Sequence, residues 1–431
     1  MRIINIETLE ILDSRGNPTL EVSVILNDGS KGVFKVPSGA STGIHEAHEL
    51  RDNNKNIYHG KGVTKAMKNI EKIKNKLFDV NFTQKELDEK LIEIDGTENK
   101  ELIGANAILG ISIAFAKASA KYYNLPLYEY LYREINNIDF DSKNKLNLKK
   151  INVNLFANVI NGGLHSGNNL NIQEFMIIPK FNSINKSIRA ISEVYQKLKE
   201  LIGEKYGKEN TAVGDEGGFA PNISKPTEAL KLIQLAIKEM NYEGDFFIAL
   251  DAAASDFYNK DTKKYEVEKG ILLEYKDLTN YYNKLIEEFP IISIEDPMEE
   301  DDFIGFNYFM KNISKLKTKN FLTSNKNVLC VGDDLLVTNP KRINIAINKK
   351  LANSLLLKIN QIGTLTESLN AAKMAKKEGW KVIVSHRSGE TIDSFISDLA
   401  VALNSSIKLG SPARGERVAK YNRLLNIFNE N

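Results

Sequence analysis

The chain has 431 residues, 42% hydrophobic and 26% charged, with 58 basic side chains against 56 acidic ones for a formal charge of +2. That length exceeds one ordinary domain, and the composition is that of a globular protein able to bury a sizeable core. Near-neutral charge, with lysines scattered over helix faces and loops, describes a solvated surface and argues against a nucleic-acid-binding strip. The single cysteine, Cys330, excludes an internal disulfide and, inside an apolar run, reads as a buried inert thiol. Met1 to Glu7 mixes acids with apolar residues and lacks the unbroken apolar core of a signal peptide. No run approaches the roughly 18 apolar residues that suggest a membrane span, so a cytoplasmic protein is expected.

In chain order, Ile3 to Leu12, Thr19 to Leu26 and Ser30 to Val36 alternate apolar and polar residues around Asp13–Pro18 and Asn27–Gly29, the pattern of a three-stranded meander. Helical spacing of apolar residues follows at Val63 to Leu77, Gln84 to Ile94, Ala105 to Tyr123 and Leu127 to Ile135. Residues 1–137 are therefore expected to form an α+β domain. The chain turns strongly polar from Asn136 to Lys150, which reads as a link to a second domain at 138–431. There the recurring order is an apolar strand, a polar residue at its end, then an amphipathic helix, the signature of a closed α/β barrel.

Three of those apolar runs stop at an acid: Phe246–Leu250 before Asp251, Ile291–Ile294 before Glu295, and Val328–Gly332 before Asp333. A fourth, Leu355–Leu357, stops at Lys358. Residues at the C-terminal ends of barrel strands converge on one mouth, so three anions would face one lysine there. Such a cluster repels itself unless it holds a cation, and all-oxygen ligation points to a hard ion such as magnesium. One such acid alone reads as a helix cap or a surface ion pair. Asp296 and Asp334 adjoin the site, leaving open which acid at each strand end is the ligand. Beside a bound cation, Lys358 would be pushed towards its neutral form and could act as a base.

Val384–Thr391 places His386, Arg387 and Ser388 between a strand and a helix, where a guanidinium, a hydroxyl and backbone amides suit phosphate. Lys408 adds a cation at the next strand end, and the pattern leans towards an anionic substrate. Gln173-Glu174 and the glycine-flanked Glu216 precede these, and a carboxyl in a closed site can stay protonated and act as an acid. His165 reads either as part of that site or as a loop histidine satisfying its neighbours. Pro37–Gly43 is a hydroxyl-rich loop suited to closing over a site and offering an oxygen to a metal, or an ordinary connection after the third strand.

Taken together, these strings resemble the enolase family over essentially the whole chain. The resemblance rests on Asp13–Thr19, the Ser38–Gly43 loop, Asp95–Lys100, Gly104–Gly110, Gln173–Met176, Gly214–Gly218, Glu295–Pro297, Leu357–Thr364 and Ser385–Thr391. It implies reversible dehydration of 2-phosphoglycerate to phosphoenolpyruvate with two magnesium ions. Asp251, Glu295 and Asp333 would hold the first ion and Ser41 would ligate the second. Lys358 would remove the C2 proton and Glu216 would protonate the departing C3 hydroxyl, with Glu174 and His165 lining that side. Arg387, Ser388 and His386 would hold phosphate, while Gln173 and Lys408 would contact substrate. The resemblance further implies a barrel whose second strand and first helix are reversed, between Asn152 and Glu216, and a homo-oligomer, either a dimer or an octamer of dimers.

Leu164, Met298, Leu409 and Gly415 depart from the family pattern beside reactive positions, which bears on loop packing and affinity. The competing readings are a related enzyme abstracting a proton from a different acid, and a non-catalytic or moonlighting surface-binding protein on the same scaffold. The serine loop and the His386-Arg387-Ser388 string weigh against the first. The intact set of acids with Lys358 weighs against the second, and the sequence ends in Asn431 where a terminal lysine is often invoked for surface capture.

Overall fold

A computed structural model describes residues 1–39, 43–143, 145–314, 316, 318, 320–323 and 327–429. The expected meander is present: β1 (Ile3–Leu12), β2 (Pro18–Leu26) and β3 (Lys31–Lys35) pair antiparallel in that order. Helices α1 (Thr64–Ile73), α2 (Gln84–Asp95), α3 (Ala105–Tyr122) and α4 (Leu127–Asn136) complete the first unit. Thr83 starts α2 with a full capping box to Glu86, and Gly96 ends it in the left-handed region. Helix α3 is apolar on nearly every face because it is buried on nearly every face. A Cβ at Gly32 would lie 2.0 Å from the Ala114 carbonyl oxygen, so β3 reaches α3 only because that residue is glycine.

The second unit begins with β4 (Leu155–Asn161), β5 (Glu174–Pro179), α5 (Ile184–Tyr206), α6 (Pro226–Glu239) and β6 (Phe246–Asp251). A small hairpin sheet, β7 (Tyr258–Asn259), β8 (Lys264–Glu268) and β9 (Ile271–Leu273), precedes α7 (Tyr275–Glu288). Then come β10 (Ile291–Glu295), α8 (Phe303–Ile313), β11 (Leu329–Gly332), α9 (Pro340–Lys349), β12 (Ser354–Leu357), α10 (Ile359–Ile362) and α11 (Leu365–Lys377). Strand β13 (Lys381–Ser385), α12 (Phe395–Leu403), β14 (Ser406–Lys408) and α13 (Gly415–Asn429) close the chain.

Eight strands close into a barrel in the order β10-β11-β12-β13-β14-β4-β5-β6. All neighbours are parallel except β5, which runs antiparallel to both β4 and β6, as the family resemblance implies for the second strand. Its interior is packed by residues such as Phe156, Met176, Phe247, Leu329, Leu356 and Ile383, each fully or almost fully buried. Each such side chain contributes about 1.5–3 kcal/mol by leaving water.

The first unit docks on the barrel mouth through polar contacts. Asp88 of α2 accepts from the backbone N–H and hydroxyl of Thr366 at 2.8 and 2.6 Å, and Lys117 donates to Asp393 at 2.6 Å. Burial pushes Asp88 up to about 6, against those hydrogen bonds. Ser38 and Gly389 exchange backbone hydrogen bonds, joining the start of the serine loop to the expected phosphate loop. Among the described residues no helix is long and apolar enough to cross a membrane.

Candidate active site

Strand parity brings the chemistry together. In β6, Phe246, Ile248 and Leu250 join the outer core while Phe247 and Ala249 fill the barrel, so Asp251 continues the inward set at the rim. The same alternation carries Leu329 and Val331 on to Asp333, Leu356 to Lys358 and Ile383 to Ser385. A register irregularity between Ile291 and Ser293 shifts the phase of β10, so that Glu295 also belongs to the inward set. Because β5 is reversed, its first residue reaches the rim, and Glu174 pairs with Asp251. Asp251, Glu174 and Lys358 line one small cavity of about 10 Å³ with Lys408, Glu216 and His165. Gln173, His386, Arg387 and Ser388 line the same cavity, which has room for about one water molecule. Ser41 lies outside the described residues.

Two ammonium groups face the acids, Lys408 buried and Lys358 part-buried. Lys408 Nζ donates to Asp251 Oδ2 at 3.0 Å and to both oxygens of Glu295 at 2.9 Å, and lies 3.2 Å from Glu174. Lys358 Nζ donates to Asp333 Oδ2, whose partner oxygen accepts from Gln361 Nε2 at 2.8 Å. Burial pulls both lysines down, but the facing carboxylates, Asp333 for Lys358 and Asp251 for Lys408, prevail and hold both above the ordinary lysine value. The lowering that a cation would give Lys358 therefore has to overcome Asp333 first. Glu295 is pushed well above the carboxylate range by burial and by Asp251.

A second group surrounds Glu216. Its carboxylate accepts from Asn158 Nδ2 at 3.1 Å and lies 3.7 Å from His165 Nδ1 and 3.5 Å from His386 Nε2. His165 Nδ1 is equally near Glu174, at 3.6 Å. Burial raises Glu216, yet His386, His165 and Lys408 outweigh it and hold that carboxyl well below its ordinary value. Burial and Glu216 push Glu174 well above its own. The two neighbouring carboxyls are thus driven in opposite directions. Arg417 Nη1 sits 2.7 Å from His386 Nδ1, and a guanidinium only donates, so the imidazole proton is on Nε2, facing Glu216. Burial pulls His386 down to about 4, against the pull of Glu216.

The site is built for a polar occupant. Gln173 Oε1, Glu174 Oε2, His165 Nδ1 and His386 Nε2 are buried without a hydrogen-bond partner among the described residues. Unsatisfied polar atoms cost free energy and are rare in native interiors, so their concentration here marks a ligand's place. The donor set also suits a hard divalent ion, since Asp251, Glu295 and Asp333 are buried oxygen donors on three neighbouring strands. The tightest acid groupings are different, with oxygens of Asp296, Asp333 and Asp334, and ligand atoms of His165, Glu174 and Glu216, within 4.8 Å of one another. Lys408 places its ammonium within 3.0 Å of both Asp251 and Glu295.

Sequence reasoning missed four participants. Glu46 engages both terminal nitrogens of Arg387 at 2.9 and 3.1 Å, Gln361 orients Asp333, Asn158 holds Glu216, and Arg417 fixes His386. Gln361 follows Lys358 by three residues and Asn158 is a polar residue inside an apolar strand, so both left a signal. Glu46 and Arg417 sit in ordinary charged stretches and left none. Of the four departures, Met298 and Leu409 are fully buried, Leu164 is 63% exposed, and Gly415 opens α13.

A closed barrel whose mouth gathers buried acids, lysines and histidines around a small polar cavity defines an enzyme with a metal-assisted acid–base site. The family model for the enolase C-terminal TIM barrel domain matches residues 149–431, and that for the enolase N-terminal domain matches residues 3–131. "Enolase 1" of Entamoeba histolytica is 47% identical over 450 aligned residues, covering 100% of this chain and 96% of that protein. "Enolase" of Methanocaldococcus jannaschii is 48% identical over 433, covering 99% and 95%. The chain belongs to the enolase family, the metal-dependent lyases also called phosphopyruvate hydratases.

Proposed function

We propose that this chain interconverts 2-phosphoglycerate and phosphoenolpyruvate, with Lys358 as the C2 base and Glu216 as the acid for the C3 hydroxyl. The observation that carries the residue roles is the presence of two proton-handling groups in one cavity: Lys358 bonded to Asp333, and Glu216 beside Glu174, His165 and His386.

Neutral Lys358 takes the C2 proton, leaving a dianion at the neighbouring carboxylate. The C3–O bond then breaks, and the proton held by the Glu174–Glu216 pair leaves with the hydroxyl as water. Positioned acids and bases supply only ~10²–10⁴-fold of accelerations that reach ~10⁶ or more. Two magnesium ions, one on Asp251, Glu295 and Asp333 and one reached through Ser41, would supply positive charge opposite the dianion and weaken the hold of Asp333 on Lys358. One unit-charge pair at ~4 Å is worth about 4 kcal/mol at an effective dielectric near 20, so charge of this size is of the right order. Arg387, Ser388 and His386 take the phosphate end, and the phosphate must share or displace the hold of Glu46 on Arg387. Gln173 and Lys408 take the carboxylate end, with His165 beside the leaving group. Family membership extends the proposal to a homo-oligomer working in the cytoplasm.

Glu216→Gln tests the acid role. Dehydration is expected to fall by about 10²–10⁴-fold, while exchange of the C2 proton with solvent is partly kept. Equal loss of both would remove Glu216 from the role of leaving-group acid.

A further inference from the structure

Asp296 stands just after Glu295 with φ of +38°, a backbone state that residues other than glycine rarely hold without compensation. Its carboxylate accepts from the Asp333 N–H at 3.1 Å through Oδ1 and from the Asp334 N–H at 2.6 Å through Oδ2. Its own N–H donates to the Val331 carbonyl at 3.0 Å, and its carbonyl accepts from the Ala254 N–H at 3.1 Å. The loops after β6, β10 and β11 are thus tied to one residue, which is 3% exposed. Those loops follow Asp251, Glu295 and Asp333. Asp296 is not among the described residues that line the cavity; it feels the charges of Asp333, Asp334, Glu295 and Asp251, and its hydrogen bonds act on the strand ends that carry those acids.

We propose that Asp296 is a positioning residue, holding the three strand ends so that Asp251, Glu295 and Asp333 present their carboxylates together to a divalent cation. This deepens the reading above and rests on those three acids as cation ligands. The strained backbone is the cost of turning one carboxylate to two successive N–H groups of a neighbouring strand end. Asparagine is the informative replacement: it tolerates positive φ and keeps the shape, but offers one acceptor where two N–H groups need one each.

The test is a titration of the metal-free enzyme with Mn²⁺ read by electron paramagnetic resonance. Asp296→Asn is expected to bind Mn²⁺ about 10–100-fold more weakly, the usual scale for a partner that orients a metal ligand. At saturating metal its kcat stays within several-fold of the parent. Asp334→Asn removes an equally close acid and keeps both N–H bonds, and a smaller loss is expected. Affinity within twofold of the parent for Asp296→Asn, or an equal loss for Asp334→Asn, overturns the proposal. Absence of any Mn²⁺ binding by the parent would instead overturn the reading of the three acids as ligands. If Asp296→Asn does not fold, amide hydrogen exchange of the parent decides: strong protection of the Asp333 and Asp334 N–H groups without metal is expected, and free exchange overturns the proposal.

Discussion

Lys358→Ala is expected to lower turnover by about 10⁴-fold, the upper end for a single positioned acid–base group. Exchange of the C2 proton of 2-phosphoglycerate with solvent should vanish with it. Lys358 is part-buried and donates to Asp333, so the variant would lose the proposed base and free an acid at once. Freed Asp333 keeps Gln361 as a partner and is free for the proposed ligand role, so divalent cation should still bind, tighter if anything once the competing ammonium is gone. Proton exchange followed by nuclear magnetic resonance, together with a metal titration, separates the two effects. Exchange persisting at the parent rate would remove Lys358 from the base role.

Lys408→Met is expected to cost the metal-free protein about 3–5 kcal/mol, the scale for breaking a buried ion pair by removing one partner. Lys408 donates to Asp251 and Glu295 and lies beside Glu174, all buried at the barrel rim, and methionine supplies similar bulk without charge. Asp251 would then lose its ammonium partner, and Glu295 and Glu174, already pushed well above the ordinary carboxylate value, would be pushed further. A divalent cation should restore much of the loss, so the rise in melting temperature on adding Mg²⁺ should be larger in the variant than in the parent. Equal melting temperatures without metal would mean that the ammonium contributes little, and that the acids are neutralised by protons already.

Most of the barrel was legible because parallel strands buried on both faces appear as short apolar runs. Asp251, Glu295, Asp333 and Lys358 could be seen because each interrupts such a run where the strand ends. The first unit was legible through two periods, alternation in β1 to β3 and 3.6-residue spacing in α1 to α4. The reversal of β5 came only from the family resemblance, since an apolar run carries no direction. The hairpin of β7 to β9 shows a short alternating stretch, Lys264–Glu268, that is easily passed over among polar turns. Partnerships across the fold left the faintest trace. Glu46 is 341 residues from Arg387, and Arg417 is 31 from His386, so nothing local marks either pair. Nor does sequence show that Lys408 faces those acids: it reads as one more strand-end charge until the closed barrel sets it against β6 and β10.

Proton removal by Lys358, as proposed, depends on the carboxylates of Asp251, Glu295 and Asp333 working as a cation site. Turnover of 2-phosphoglycerate, followed by the ultraviolet absorbance of the enol product before and after chelation of divalent metal, tests it most directly. Chelation is expected to abolish turnover, and added Mg²⁺ to restore it fully. Undiminished turnover with chelator in excess would contradict it.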